Sequence, residues 1–152
     1  MIICDTREHK SEWERIKAQF DRLGVKYDRS KLYVGDYQSL NNALLVVDRK
    51  QHLGEICSNV CQQHERFRAE LIRAQEAGIK LIILCEHGGS IKTIEDVYFW
   101  DNPRKKYSKG ALDGQRLFKM MRTMTQKYGV EWQFCTKQQT GRRIAEILGE
   151  IE

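Results

Sequence analysis

The stretch ALLVVDRK, residues 43–50, constrains the chain more than any other. Its apolar part is buried-strand material, yet it closes on Asp48, Arg49 and Lys50, and a core does not accept such charges without partners. Asn41 and Asn42 just before it are turn residues. The preceding VKYDRSKLYVGDYQSL, residues 25–40, reads as strand with Gly35 inside it, so the two segments pair as an antiparallel hairpin. Side chains alternate along a strand, which puts Asp48 and Lys50 on one face and Arg49 on the other. Pairing then brings Asp36 toward Asp48.

The rest of the chain alternates strand and helix. MIICD is a short apolar run delivering Asp5 to a sheet edge, with Arg7 and Glu8 just beyond. Ser11 and Glu14 have capping-box spacing, followed by Trp13, Ile16, Phe20 and Leu23 at helical intervals and by Gly24 as terminator. From Gln51 to Ala77 a single apolar stripe (Leu53, Ile56, Val60, His64, Phe67, Leu71, Ala74) predicts one long helix ending at Gly78. IKLIILCE is a continuous apolar strand, covered on both faces, that ends on Glu86. A helix carrying Leu117, Met120, Met121, Met124 and Tyr128 runs up to Gly129. VEWQFC follows as a strand, and Thr140 is placed to cap a last helix with Ile144, Ile147 and Leu148. The interleaving defines an α/β class, and 152 residues fit one domain over 1–152, with a loop or small insertion at about 87–112.

Composition narrows the function classes. No apolar run approaches the roughly 20 residues needed to span a bilayer, so no membrane partner is expected. The N-terminus lacks the pattern of a secretory signal, which points to the cytoplasm. Five cysteines are an odd number, and Cys4, Cys85 and Cys135 lie in strand-like runs, so the thiols are read as reduced. A net charge of +5 favours a polyanion without demanding one.

Asp5, Asp36 and the Asp48–Lys50 pair thus come from three separate segments, each at a strand end. Carboxylates held close together repel unless a cation sits between them, and all-oxygen ligation is what Mg²⁺ or Mn²⁺ takes. A metal so held, with a lysine ammonium beside it, suits hydrolysis of a phosphodiester. Charged residues at strand ends also serve simply to solvate a loop edge, and the residues alone leave the two readings open.

The order DTRE (5–8), GDY (35–37) and DRK (48–50) resembles the D-x-R-E, G-D, E-R-K pattern of the XPF-type excision-repair nuclease domain, within the PD-(D/E)XK superfamily. RF at 66–67, LIILCE and the final strand and helix extend the resemblance over nearly the whole chain. It implies a restriction-endonuclease-like fold, a central mixed β-sheet flanked by helices. It implies a Mg²⁺- or Mn²⁺-dependent endodeoxyribonuclease acting on fork, flap or junction DNA. The metal would be bound by Asp36, Asp48 and the carbonyl of Arg49; Lys50 would act on the attacking water; Asp5, Arg7 and Glu8 would complete the site and meet the scissile phosphate. Asp48 stands where the family has glutamate, and the acid expected after E-R-K-x-x-x falls on Gly54, with Glu55 next to it. The family's helicase or helix-hairpin-helix parts are missing, so the chain resembles the short stand-alone form of phage and prophage genomes, working in a bacterial or phage-infected cell. A homodimer or a partner protein is implied.

Tyr98, Phe99, Trp100 and Tyr107 interleave with Arg104, Lys105, Lys106 and Lys109, a pattern that holds splayed or single-stranded nucleic acid through phosphate pairing and base stacking. Arg66 is a further candidate DNA contact. Cys57, Cys61 and His64 are spaced along one helical face but lack a fourth local zinc ligand, and a core stripe explains them as well. The rival to the nuclease is a catalytically silent DNA-binding subunit that positions a partner nuclease; a third reading is an RNA-directed or replication-accessory binder.

Overall fold

The structure is a computed structural model describing residues 1–152. Its strands are β1 (Ile2–Cys4), β2 (Tyr27–Arg29), β3 (Tyr37–Ser39), β4 (Asn42–Lys50), β5 (Lys80–Cys85) and β6 (Glu131–Phe134). They form one sheet in the order β2-β1-β3-β4-β5-β6. β3 lies antiparallel to both β1 and β4, while the β1–β2, β4–β5 and β5–β6 pairs are parallel, so the sheet is mixed. The hairpin turns at Leu40 and Asn41, one residue earlier than the Asn41–Asn42 pair suggests, because Asn42 already pairs with Ser39.

The helices are α1 (Lys10–Leu23), α2 (Leu53–Cys61), α3 (His64–Glu76), the single turn α4 (Ile94–Val97), α5 (Gly114–Tyr128) and α6 (Thr140–Ile147). Strand alternation splits the core in two. On one face Ile2, Cys4, Tyr37, Val47 and Leu84 pack with Trp13, Ile16 and Phe20 of α1 and Ile144 of α6. On the other, Val46, Leu81, Ile83 and Cys85 pack with Leu53 and Ile56 of α2, Phe67 and Leu71 of α3, and Leu117 and Met121 of α5.

The helix expected over 51–77 is two. Gln62 and Gln63 interrupt it, and its start is capped by His52, whose Nδ1 accepts from Glu55 N at 3.1 Å. The expected capping box at Ser11 is absent: α1 begins at Lys10 with His9 as its cap, so Ser11 is already helical. Thr140 opens α6 rather than capping it, and its hydroxyl donates to the buried carboxylate of Glu86. The 25–40 segment holds strand only at its two ends, β2 and β3.

Residues 87–112 are more ordered than a loop. Thr93 and Asp96 form a capping box on α4, Val97 is buried, and a 3₁₀ turn spans Pro103–Lys106 under a cap from Asn102. Asn102 also donates to Leu112 O at 2.8 Å, pinning the segment across its base. It rests against Gly114, where a Cβ would lie 2.6 Å from Trp100 O; only a glycine allows this approach.

Candidate metal and nucleic-acid site

Asp36 is placed by backbone bonds at the junction of β1 and β4. Asp5 N donates to Asp36 O at 2.8 Å, and Asp36 N donates to Val47 O at 2.9 Å. Gly35 makes this possible. Its φ of 73° lies in the left-handed region, and a side chain there would run into Val46 Cγ1 and stand 3.2 Å from Val47 O. The Asp36 carboxylate accepts from Arg49 N at 2.7 Å, which joins the tip of β3 to the tip of β4 beyond the last β3–β4 pair.

Asp48, 5% exposed, faces the same cleft, and its Oδ2 is buried without a hydrogen-bond partner. Lys50 Nζ approaches that oxygen only to 3.4 Å. Burial, then the charges of Asp48 and Glu8, push the Asp36 carboxyl well above the usual carboxylate range.

Lys50 is nearly buried. Burial works against its charge, but Asp48, Glu55, Glu70 and Asp36 outweigh it and hold the amine's pKa above its ordinary value. Its Nζ lies 3.9 Å from Glu55 Oε2 and 5.1 Å from the centre of the Phe67 ring. Glu55 therefore stands by Lys50, while its Oε1 accepts from Gln51 N at 2.8 Å. Both residues line a neighbouring cavity with His9, Asn59 and Glu70 rather than the cleft of Asp36 and Asp48, which Lys50 meets only through its approach to Asp48.

Asp5 also lines the cleft, but its oxygens are taken. Arg7 N, Nε and Nη2 and Leu32 N all donate to it, at 2.8–3.1 Å. These bonds more than offset burial and lower its pKa. Arg7, its side chain 57% exposed, stays at the cleft mouth with Arg66 and Arg73.

Glu8 does not line the cleft. It accepts from the Arg49 guanidinium at 2.8 and 3.0 Å and from Tyr37 OH at 3.0 Å. Arg49, on the opposite face of β4 from Asp48 and Lys50, continues to Glu86 at 2.6 Å, and Glu86 accepts from Arg15 at 2.6 Å. The site thus sits on a buried ionic network that crosses to α1.

Glu70 was not singled out from sequence. It projects from α3 into the same cleft, and burial and Asp48 push its carboxyl up to about 7. The available signal was its place on the α3 face carrying Arg66, Phe67 and Arg73, which lie at i−4, i−3 and i+3 from it. The cleft has a volume of about 360 Å³ and combines these acids with three arginines. No three His, Cys, Asp or Glu side chains converge closely enough to ligate an ion by themselves. Cys57 packs partly into the core, Cys61 is exposed and His64 lies past the helix break, so the zinc spacing forms no site.

Arg104, Lys105, Lys106 and Lys109 are exposed and line no part of the acidic cleft. Arg104 sits over Cys57 and Cys61 of α2, across that helix from Asn59. Phe99 and Tyr107 are 83% and 90% exposed. No helix of the chain is long and apolar enough to cross a membrane.

A mixed six-stranded sheet with helices on both faces and acids at the tips of β3 and β4 is the restriction-endonuclease-like fold. The chain superposes on XPF from Aeropyrum pernix with a TM-score of 0.68 at 20% identity, covering 97% of this chain and 62% of that one. For XPF from Aeropyrum pernix in complex with DNA the TM-score is 0.70 at 19% identity, covering 98% and 63%. The chain spans less than two thirds of the length of these proteins. A model of the ERCC4 domain matches residues 4–147, and the chain belongs to that family. No curated protein matches it by sequence.

Proposed function

We propose that the chain is a Mg²⁺- or Mn²⁺-dependent DNA endonuclease acting on branched or partly single-stranded DNA. The observation that carries this reading is the buried Oδ2 of Asp48, which accepts no hydrogen bond and meets Lys50 Nζ only as a 3.4 Å ion pair, beside Asp36. A buried acceptor without a partner costs roughly 1–3 kcal/mol, more when charged, and a bound cation offsets it. Asp36 and Asp48 would hold the ion, and the Arg49 carbonyl lies on the strand edge whose N–H already faces Asp36. Two carboxylates, one carbonyl, waters and a phosphate oxygen suit Mg²⁺, which seldom takes an all-protein cage. When bound, the ion lowers the pKa of a water and draws charge from the phosphate.

The chain's own residues do the rest. Lys50, kept as an ammonium, has three donors and no acceptor, so it donates to the attacking water or a phosphate oxygen and does not take the proton. Arg7 and Arg66 at the cleft mouth hold the phosphodiester in line. Asp5 fixes Arg7 and the turn leading to Gly35. Glu8 fixes Arg49, and through it the tip of β4. Arg104, Lys105, Lys106 and Lys109 give the DNA a second contact away from the cut. The presence of DNA in the Aeropyrum pernix complex supports nucleic acid as the partner.

Incubation of the purified chain with fork, flap, junction and linear DNAs, with Mg²⁺, Mn²⁺ or chelator, tests the proposal. Metal-dependent cutting of branched DNA that is lost in Asp48→Asn is expected. DNA binding with no cutting under either metal assigns the silent positioning role instead.

A further inference from the structure

On the face away from the sheet, α3 and α5 leave between them a groove of about 280 Å³ that the nuclease reading does not use. Its floor is apolar, made by Val60, Phe67, Leu71, Met120 and Met124. Its rim carries Arg68, Lys119 and Lys127, all exposed, and none of the three is in an ion pair. No acid lines the groove. An apolar trough under unpaired cations asks for a ligand that is apolar on one side and anionic on the other.

Three observations choose among the possible occupants. The floor is mostly aliphatic and thioether; of the rings that line the groove Phe67 is buried, Tyr128 is half-buried with its hydroxyl accepting from Arg68 Nε at 3.3 Å, and only His64 is exposed, so there is no run of open rings for successive bases to stack on. A second copy docked by a two-fold axis would bring Arg68, Lys119 and Lys127 against the same cations of its partner. Two methionines make a floor that repacks around inserted side chains, as peptide-binding surfaces do. From this charge complementarity we infer that the groove is a docking site for an acidic, amphipathic helix of a partner protein, its apolar residues at i, i+3, i+4 and i+7 in the trough and its carboxylates on the cationic rim. The occupant would also touch Phe67, whose ring lies 5.1 Å from Lys50 Nζ.

Fluorescence polarisation of two labelled peptides of glutamate and leucine tests this. In one the leucines have helical i, i+3, i+4, i+7 spacing; in the other the same composition is scrambled. The helical peptide should bind at least about tenfold tighter than the scrambled one, a difference of about 1.4 kcal/mol. Lys119→Glu with Lys127→Glu, both exposed and outside the proposed cutting site, should weaken it by a similar factor without lowering the melting temperature. Met124→Gln should weaken it while leaving the charge dependence in place. Equal binding of both peptides, no binding of either, or unchanged binding by the Lys119→Glu/Lys127→Glu chain overturns the inference. So does displacement of the peptide by a single-stranded oligonucleotide, which would make the groove a nucleic-acid site, or self-association that buries it.

Discussion

The guanidinium of Arg49 and the carboxylate of Glu86 meet at 2.6 Å across the parallel β4–β5 pair, with side-chain exposures of 4% and 0%. Arg49 also holds Glu8, so one buried cation serves two buried acids. Removing it leaves Glu8 buried without a cation and Glu86 with Arg15 alone. Arg49→Met should therefore lower stability by roughly 3–5 kcal/mol, read as a shift in the urea midpoint. A loss under about 1 kcal/mol would show that the network is solvated.

Stability without metal should depend on pH in an unusual direction. Asp36 and Glu70 are acids whose folded-state pKa values lie above their ordinary ones, Glu70 at about 7 against 4.5. The folded state then binds more protons than the unfolded one between those limits, so stability is full below about 4.5 and falls as pH rises through 7. Urea midpoints in chelator should drop from pH 5 to pH 8, and Asp36→Asn or Glu70→Gln should flatten the fall. A midpoint that rises over this interval contradicts the arrangement of acids.

Gly35→Ala should cost function before it costs the fold. The substitution forces a side chain into left-handed backbone and against Val46, and the residue displaced is Asp36. The expected outcome is destabilisation by about 1–3 kcal/mol, with cutting reduced by much more than the smaller folded population explains. Cutting that tracks the folded fraction alone would remove Gly35 from the site.

How much of this was legible in the sequence follows from the range of each signal. The split of Asp48 and Lys50 from Arg49 is a period-two property of one strand, so it could be read locally. The meeting of Asp36 with Asp48 rested on one hairpin, also local. Glu70 was missed because its approach depends on how α3 docks on the sheet, which no spacing within α3 encodes. The break at Gln62 and Gln63 was hidden because Val60, His64 and Phe67 keep helical spacing across it. Thr140 read as a cap because a hydroxyl before an apolar stripe usually is one; here its partner is Glu86, 54 residues away.

The basic segment makes a separate prediction about salt. Arg104→Ala, Lys105→Ala and Lys106→Ala together should weaken DNA binding and reduce the slope of log K against log salt by about 0.9 for each duplex phosphate that the variant no longer neutralises. Cutting at saturating DNA should change little, because none of the three lines the acidic cleft. An unchanged slope would leave the segment without a DNA role.

Lys50→Ala and Asp48→Asn should each reduce cutting by roughly a hundredfold or more while DNA binding persists. The most direct measurement is the anomalous scattering of a crystal grown or soaked with Mn²⁺. One peak within coordination distance of both the Asp36 and Asp48 carboxylates, absent in Asp48→Asn, is predicted. A wild-type map with no peak between those carboxylates, or with Mn²⁺ bound only elsewhere, contradicts the claim that the tips of β3 and β4 form a metal centre.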